Sequence, residues 1–123
     1  MKLIICDDSA AVRERLVSLF SEANHESQII QTADARESIE AIREHRPDAV
    51  ILDLRMPGGG GLSVLNQIQH SDVKPLIIVL TNYPYPQYKK RCFELGADYF
   101  LDKSTEFNRI LDIIIPLKKR LDR

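Results

Sequence analysis

Four short apolar segments of this sequence are followed within two residues by side chains that could hold a cation or take part in group transfer. These side chains are two adjacent acids, a third acid, a hydroxyl and an amine: Asp7, Asp8, Asp53, Thr81 and Lys103. Carboxylates bind hard cations and can act as nucleophiles, and an ammonium neutralises charge on a phosphoryl group. These residue types therefore suit phosphoryl transfer, provided that the fold brings them to one place.

The segment around Asp53 gives the clearest structural signal. The all-apolar run Ala49–Leu52 lies between an Arg-Pro-Asp turn and the glycine-rich stretch that follows Pro57. Such a run predicts a strand buried on both faces, and strands of this kind belong to parallel sheets covered by helices. Asp53 then lies at the carboxyl end of a central strand, where open α/β sheets bind their ligands. Gly58–Gly61 are interpreted as turn glycines, because their spacing fits neither common phosphate-binding motif.

Four further strands are predicted from short apolar runs: Lys2–Cys6, Gln28–Gln31, Pro75–Leu80 and Asp98–Leu101. The polar ends of the second run indicate an edge position in the sheet. Helical spacing of apolar residues predicts a helix after each strand. Five strands alternating with five helices predict an α/β fold with a parallel sheet and right-handed crossovers, in one domain over residues 1–123.

Several residues mark where these helices should begin and end. Ser9 and Asp34 are suited to cap the first two, and Ser104 is expected to open the last. Gly96 is placed to close the fourth helix in the left-handed conformation. Pro116 predicts a kink or an early end in the fifth helix, because proline lacks the backbone N–H that the helix ladder uses.

Composition narrows the classes of function. Lys and Arg number 17 against 18 Asp and Glu, which gives a net charge of −1 and no electrostatic basis for direct binding of nucleic acid or an anionic membrane. The apolar runs are far shorter than the ~20 residues that span a bilayer, and no leading signal segment is recognised. The two cysteines form no metal or redox motif. We therefore expect a cytoplasmic protein with reduced thiols.

The predicted sheet explains how the acids could meet. In a doubly wound sheet of order 2-1-3-4-5, the first and third strands are neighbours at the point where the order reverses. Asp7, Asp8 and Asp53 would then lie together. Clustered carboxylates repel one another unless a cation is bound, and a small number of hard oxygen ligands suits Mg²⁺, which keeps several waters.

These residues and intervals resemble the receiver domain of two-component response regulators. The resemblance covers the whole chain, through the stretches IICDDSA, VILDLRMPGGGGL, VLTN and LGADYFLDK. It implies a flavodoxin-like, doubly wound five-stranded parallel sheet of order 2-1-3-4-5 with five helices. It also implies a phosphorylation-dependent signalling switch that uses Mg²⁺. Such a domain catalyses its own phosphorylation and dephosphorylation but is not an enzyme for an outside substrate.

The resemblance also implies roles for individual residues. Asp53 would be the phosphoacceptor, which attacks a phosphohistidine on a sensor histidine kinase or phosphotransfer protein. Asp8 and Asp53 would bind Mg²⁺ directly and Asp7 through water, and the backbone carbonyl of Arg55 would be a further metal ligand.

A second group of residues would bind the phosphoryl group or change conformation in response to it. Lys103 would pair with Asp53 or its phosphate, the Thr81 hydroxyl would close onto a phosphate oxygen, and Phe100 would rotate inward. The changed surface would be helix 4, strand 5 and helix 5, which would control an output protein or a fused output domain. Whether the domain dimerises on phosphorylation is left open.

Two features depart from the usual family pattern or add to it. Ser104 follows Lys103 where the family usually has proline, so the last helix is expected to start differently. Arg55 and Tyr83 flank the reactive positions, and we hypothesise that they shield an acyl phosphate from water.

Two alternatives are weighed against the switch. A pseudo-receiver would keep the fold and bind partners without phosphorylation, but the intact set of reactive side chains argues against it. An Mg²⁺-dependent phosphatase with an aspartyl nucleophile would need an acid two residues after Asp53, where this chain has Arg55.

Overall fold

The structure is a computed structural model that describes residues 1–23 and 27–122. Its strands form one parallel sheet in the order β2-β1-β3-β4-β5. The strands are β1 (Lys2–Cys6), β2 (Gln28–Thr32), β3 (Ala49–Leu52), β4 (Leu76–Thr81) and β5 (Tyr99–Asp102). The helices are α1 (Ala10–Glu22), α2 (Ala35–His45), α3 (Gly60–Gln69), α4 (Pro86–Glu94) and α5 (Arg109–Leu121). This architecture confirms the predicted fold, with β2 at an edge.

Helices cover both faces of the sheet, as the all-apolar strands predict. Side chains alternate along β1, so Leu3 and Ile5 pack with α1 and α5, whereas Ile4 and Cys6 pack with α2, α3 and α4. All four residues of β3 are buried. The two central strands, β1 and β3, therefore lie between two apolar layers, and this packing positions their carboxyl ends.

Two aspartates bind backbone amides of neighbouring strands near the amino-terminal ends of the strands. The Asp48 carboxylate accepts a hydrogen bond of 2.8 Å from the backbone N–H of Lys2. Asp98 does the same for the backbone N–H of Ile77, also at 2.8 Å. Each bond satisfies a backbone amide near the start of a strand. The two bonds thereby help to fix the register of β3 against β1 and of β5 against β4.

The predicted helix ends are confirmed at three positions. The Ser9 hydroxyl accepts from the Val12 backbone N–H at 3.3 Å, and the Asp34 carboxylate accepts from the Glu37 N–H at 2.8 Å. Gly96 follows α4 with φ of +99°, a conformation that costs glycine little.

The prediction for the start of the last helix is wrong. Residues 103–108 form turns, and α5 begins at Arg109 rather than at Ser104. The Asp102 carboxylate accepts from both the N–H and the hydroxyl of Ser104, and the Glu106 carboxylate accepts from the Asp102 N–H. These local bonds compete with the helix and hold the segment as a turn.

Of the kink or early end predicted at Pro116, the early end is wrong, since α5 continues to Leu121. Pro116 lies on the exposed side of the helix, while Ile113, Ile114 and Leu117 pack into the core. The carbonyl group that loses its helical donor therefore faces solvent, where water can satisfy it, and apolar packing on the other side holds the helix together. Throughout residues 1–23 and 27–122, every helix is too short or too polar to cross a lipid bilayer.

Candidate functional site

The strand order brings three acids together at the carboxyl edge of the sheet. Backbone pairing continues just past the strands, because the Asp53 N–H donates to the Cys6 carbonyl at 2.9 Å and the Asp7 N–H donates to the Thr32 carbonyl at 3.1 Å. One carboxylate oxygen from each of Asp7, Asp8 and Asp53 lies within 4.8 Å of the other two. Asp7 and Asp53 are buried, whereas Asp8 is exposed.

Lys103 reaches into this cluster from the end of β5. Its Nζ lies 2.7 Å from Asp7 Oδ2 and 3.2 Å from Asp53 Oδ2. The Lys103 backbone N–H donates to the Thr81 carbonyl at 2.9 Å, which ties its position to the end of β4. The sequence predicted a pairing with Asp53, and the shorter contact with Asp7 was not anticipated.

The electrostatics of the cluster are set by burial and by Lys103. Burial raises the pKa of the Asp53 carboxyl above its usual value, and the Lys103 ammonium opposes this rise. The neighbouring Asp7 charge raises the pKa of Asp53 further. One ammonium thus faces three carboxyl groups and cannot balance the charge of all three when they are ionised.

The donor set fits a divalent magnesium ion. Three carboxylates can each offer an oxygen to one point, and such hard ligands in small number are what Mg²⁺ takes while it keeps part of its water shell. The exposed Asp8 leaves one side open to water and to an incoming ligand. When bound, the ion would neutralise the remaining negative charge of the cluster and of a phosphoryl group.

Thr81 lies at the carboxyl end of β4 and is fully buried. Its hydroxyl oxygen accepts a hydrogen bond of 3.0 Å from the Tyr83 backbone N–H. The Arg55 guanidinium carbon lies 4.0 Å from the centre of the Tyr83 ring, a stacked cation–π arrangement. This contact joins the loops that follow β3 and β4, one on each side of the site.

The glycine-rich turn places α3 against the strand end that carries Asp53. Gly58, Gly59 and Gly60 have positive φ angles, and a Cβ at Gly60 would lie 2.5 Å from the Leu54 carbonyl oxygen. Gly61 has an ordinary φ, but a Cβ there would collide with the Asp53 carbonyl oxygen. The glycines therefore permit a close backbone approach as well as a turn.

Phe100 is half-buried and packs against the apolar layer on the α4 side of the sheet. A further feature, which no sequence pattern predicted, is a cavity of about 470 Å³ between the loops that follow β3 and β4. Its lining combines residues from three separate stretches of sequence, so no local pattern pointed to it.

The fold is a doubly wound α/β sheet with an acidic cluster at the carboxyl ends of its strands, and comparison with known families shows which family has this arrangement. The family described as the response regulator receiver domain matches residues 3–115, and this chain belongs to that family. An uncharacterized response regulatory protein of Staphylococcus epidermidis is 35% identical over 118 residues, a match that covers 93% of this chain and 46% of the relative.

Two solved structures are similar over nearly the whole chain. A DNA-binding response regulator of the LuxR family from Staphylococcus aureus aligns with a TM-score of 0.84 and 26% identity, over 94% of this chain and 97% of that one. The CheX–CheY–BeF₃–Mg²⁺ complex from Borrelia burgdorferi aligns with a TM-score of 0.78 and 26% identity, over 93% and 89%. The chain spans about half, or less, of the length of the curated relatives that it matches.

Proposed function

We propose that this chain accepts a phosphoryl group on Asp53 from a sensor histidine kinase or a phosphotransfer protein, with Mg²⁺ as the cofactor. The observation that carries the proposal is the cluster in which Asp53 lies within reach of both Asp7 and Asp8 and of the Lys103 ammonium. The solved CheX–CheY complex contains BeF₃ and Mg²⁺, which supports the same chemistry here.

Each residue of the site has a proposed part in the reaction. Asp53 Oδ forms a bond to phosphorus while the phosphorus–nitrogen bond of the partner's phosphohistidine breaks, and the imidazole nitrogen keeps that electron pair. Lys103 stays beside Asp53 to offset charge on the phosphoryl oxygens. Asp8 and Asp53 would hold Mg²⁺ directly, with Asp7 acting through water and the Arg55 carbonyl as a further ligand. The chain acts on itself in this scheme and on no outside substrate.

The output of the switch is proposed to be a surface change. The Thr81 hydroxyl would leave the Tyr83 N–H and bind a phosphate oxygen, and Phe100 would then turn inward. Both residues lie on the strands that flank α4, so the change would reach the face formed by α4, β5 and α5. Phosphorylation would bias an existing equilibrium between two surfaces.

The partners are proposed by class. The curated relatives are longer than this chain, and one similar structure is a DNA-binding regulator, so an output protein or a fused output domain is expected to receive the signal. We propose a single receiver domain over residues 1–123, cytoplasmic, that does not itself contact nucleic acid or membrane. A homodimer formed on phosphorylation is a further form that the output could take.

An intact-mass measurement tests the proposed function. The protein is incubated with Mg²⁺ and a small phosphodonor, and one phosphoryl group should add about 80 Da. The gain should vanish in Asp53→Asn and after chelation, and persist in Asp112→Asn, which removes an exposed acid from α5. No gain in folded wild-type protein would instead support the pseudo-receiver, which binds partners without phosphorylation.

A further inference from the structure

Asp7 and Asp8 are adjacent in the sequence, but the structure holds them in different ways. The Asp7 carboxylate accepts a hydrogen bond of 2.9 Å from the Ser9 backbone N–H and contacts Lys103 Nζ at 2.7 Å. The Asp7 backbone N–H donates to the Thr32 carbonyl. Asp8 is exposed, so the packing of neighbours directs its carboxylate little. The orientation of Asp8 therefore depends on the backbone that carries it.

Arg13 binds the peptide group that joins the two aspartates. Its Nη1 donates a hydrogen bond of 2.6 Å to the Asp7 backbone carbonyl, which belongs to the peptide between Asp7 and Asp8. Its Nε donates to Gln31 Oε1 at 3.1 Å. The guanidinium thereby links α1 to the carboxyl ends of β1 and β2. Two donors on one planar group fix its orientation, so the peptide is held in one position.

The placement of Arg13 is unfavourable by local electrostatics. Arg13 lies near the start of α1, and its side chain reaches back past the N-terminus of the helix to Asp7. The positive end of the helix dipole opposes a cation there, and α1 has no acid in its first turn. A positive charge close to a cation site also opposes binding of the cation. The hydrogen bond to the Asp7 carbonyl is the contribution that offsets these costs.

We infer that Arg13 is a positioning residue for the Mg²⁺ site, because its hydrogen bond to the Asp7 carbonyl keeps the Asp8 carboxylate in the acidic cluster. The inference rests on the proposed function, in which Asp8 is a direct Mg²⁺ ligand. Loss of the guanidinium should then weaken cation binding. Charge repulsion alone would give the opposite result, since removing a nearby cation strengthens binding of another.

The test measures binding of Mn²⁺, which takes the same oxygen ligands as Mg²⁺, by the loss of the electron paramagnetic resonance signal of the free ion. Competition with Mg²⁺ then gives the Mg²⁺ dissociation constant. Arg13→Met should raise this constant about tenfold, the scale expected when a residue that orients a metal ligand is lost. An unchanged or lower constant in folded Arg13→Met would overturn the inference.

Two further variants complete the binding test. Arg43→Met removes the same charge from the exposed last turn of α2, beyond a screening length of about 10 Å, and should leave the constant within about twofold of wild type. Gln31→Ala keeps the charge of Arg13 and removes only its second contact, so the constant should rise about threefold. Gln31 is exposed, so this variant should fold normally. An unchanged constant in Gln31→Ala would contradict the inference even if Arg13→Met failed to fold.

Phosphorylation by phosphoramidate, followed by intact mass, separates this inference from the proposed function. In Arg13→Met the Mg²⁺ concentration that gives half the maximal rate should rise about tenfold, while the rate at saturating Mg²⁺ should approach that of wild type. A rate that saturating Mg²⁺ does not restore would overturn the positioning role. Wild-type protein that binds Mg²⁺ but gains no phosphoryl group would overturn the proposed function and leave the role of Arg13 in cation binding standing.

Discussion

Lys103 contacts two buried carboxylates at once, with Nζ 2.7 Å from Asp7 Oδ2 and 3.2 Å from Asp53 Oδ2. All three side chains are less than a tenth exposed. The ammonium thus acts as the internal counterion of the acidic cluster. It links the ends of β1, β3 and β5, three strands that are far apart in the sequence.

Replacing Lys103 should destabilise the protein. Lys103→Met leaves two buried carboxylates without a partner, so the free energy of unfolding should fall by about 3 kcal/mol in EDTA at pH 7, and Mg²⁺ should restore part of it. Urea unfolding with and without Mg²⁺ measures both effects. Lys89→Met, on the exposed side of α4, is the matched control. A loss below about 1 kcal/mol would show that the pairing contributes little.

Removing the charge of Asp53 should stabilise the protein, in contrast to the replacement of Lys103. Asp53→Asn relieves repulsion with Asp7 and leaves Lys103 paired with Asp7, so the variant should be more stable than wild type by about 1 kcal/mol in EDTA at pH 7. Mg²⁺ should reduce this gain, since it stabilises the wild-type carboxylates.

The difference in stability between Asp53→Asn and the wild type should depend on pH, because the pKa of Asp53 is raised in the folded protein. Because the pKa of Asp53 is higher in the folded state than in the unfolded state, where it is about 3.9, protonated Asp53 stabilises the wild-type fold at a pH below about 3.9. This stabilisation is lost as the pH rises through the folded-state pKa. The advantage of Asp53→Asn should therefore grow as the pH rises from about 4 toward neutrality. Urea unfolding over this range tests it, and a variant less stable than wild type at pH 7 in EDTA would contradict it.

The turn after β3 should tolerate no side chain at Gly61. Because a Cβ there would collide with the Asp53 carbonyl oxygen, Gly61→Ala should lose about 2–3 kcal/mol of stability and slow phosphorylation of Asp53. Thermal unfolding and the mass assay measure these effects. Ser63→Ala, two residues further along α3, should change little. A Gly61→Ala protein with wild-type stability would mean that the backbone yields easily at this point.

The stacked pair of Arg55 and Tyr83 should protect an acyl phosphate on Asp53. Tyr83→Ala removes the ring that holds the guanidinium at the mouth of the site, so water should reach the phosphoryl group more easily and the phosphorylated half-life should shorten severalfold. Tyr99→Ala is the control, since Tyr99 is exposed on β5 and is not among the residues that line the cavity beside Arg55 and Tyr83. A half-life that shortens little in Tyr83→Ala would remove the shielding hypothesis.

Both cysteines should be unreactive in the folded protein. Burial raises the pKa of Cys6 to about 11 against weak opposition from the Ser38 and Thr32 hydroxyls, and burial alone raises that of Cys92 to about 11. Thiolates are the reactive form, so a thiol reagent at pH 8 should modify the two thiols only after unfolding. By the same linkage, ionisation of the unfolded thiols should lower stability as the pH rises from about 9 to 11. Rapid labelling of native protein would contradict this.

The order of strands and helices, and the polar residues that follow the strands, could be predicted from the sequence. Local patterns were sufficient for this, because an apolar run such as Ala49–Leu52 between turn residues favours a buried strand, and Asp34 and Gly96 satisfy helix ends within a few residues. Local competition also explains the errors. The hydrogen bonds of Asp102 and Glu106 hold the segment before α5 as a turn. The helix continues past Pro116 because Pro116 lies on its exposed side.

How these side chains meet depends on the tertiary structure. The position of Lys103 after a predicted strand made it a candidate site residue. Its closer contact with Asp7 depends on which strands are neighbours and on their register. The cavity and the stacking of Arg55 on Tyr83 arise where loops from two strands approach each other. Such features depend on long-range packing, which fixes distances between residues that no local pattern connects.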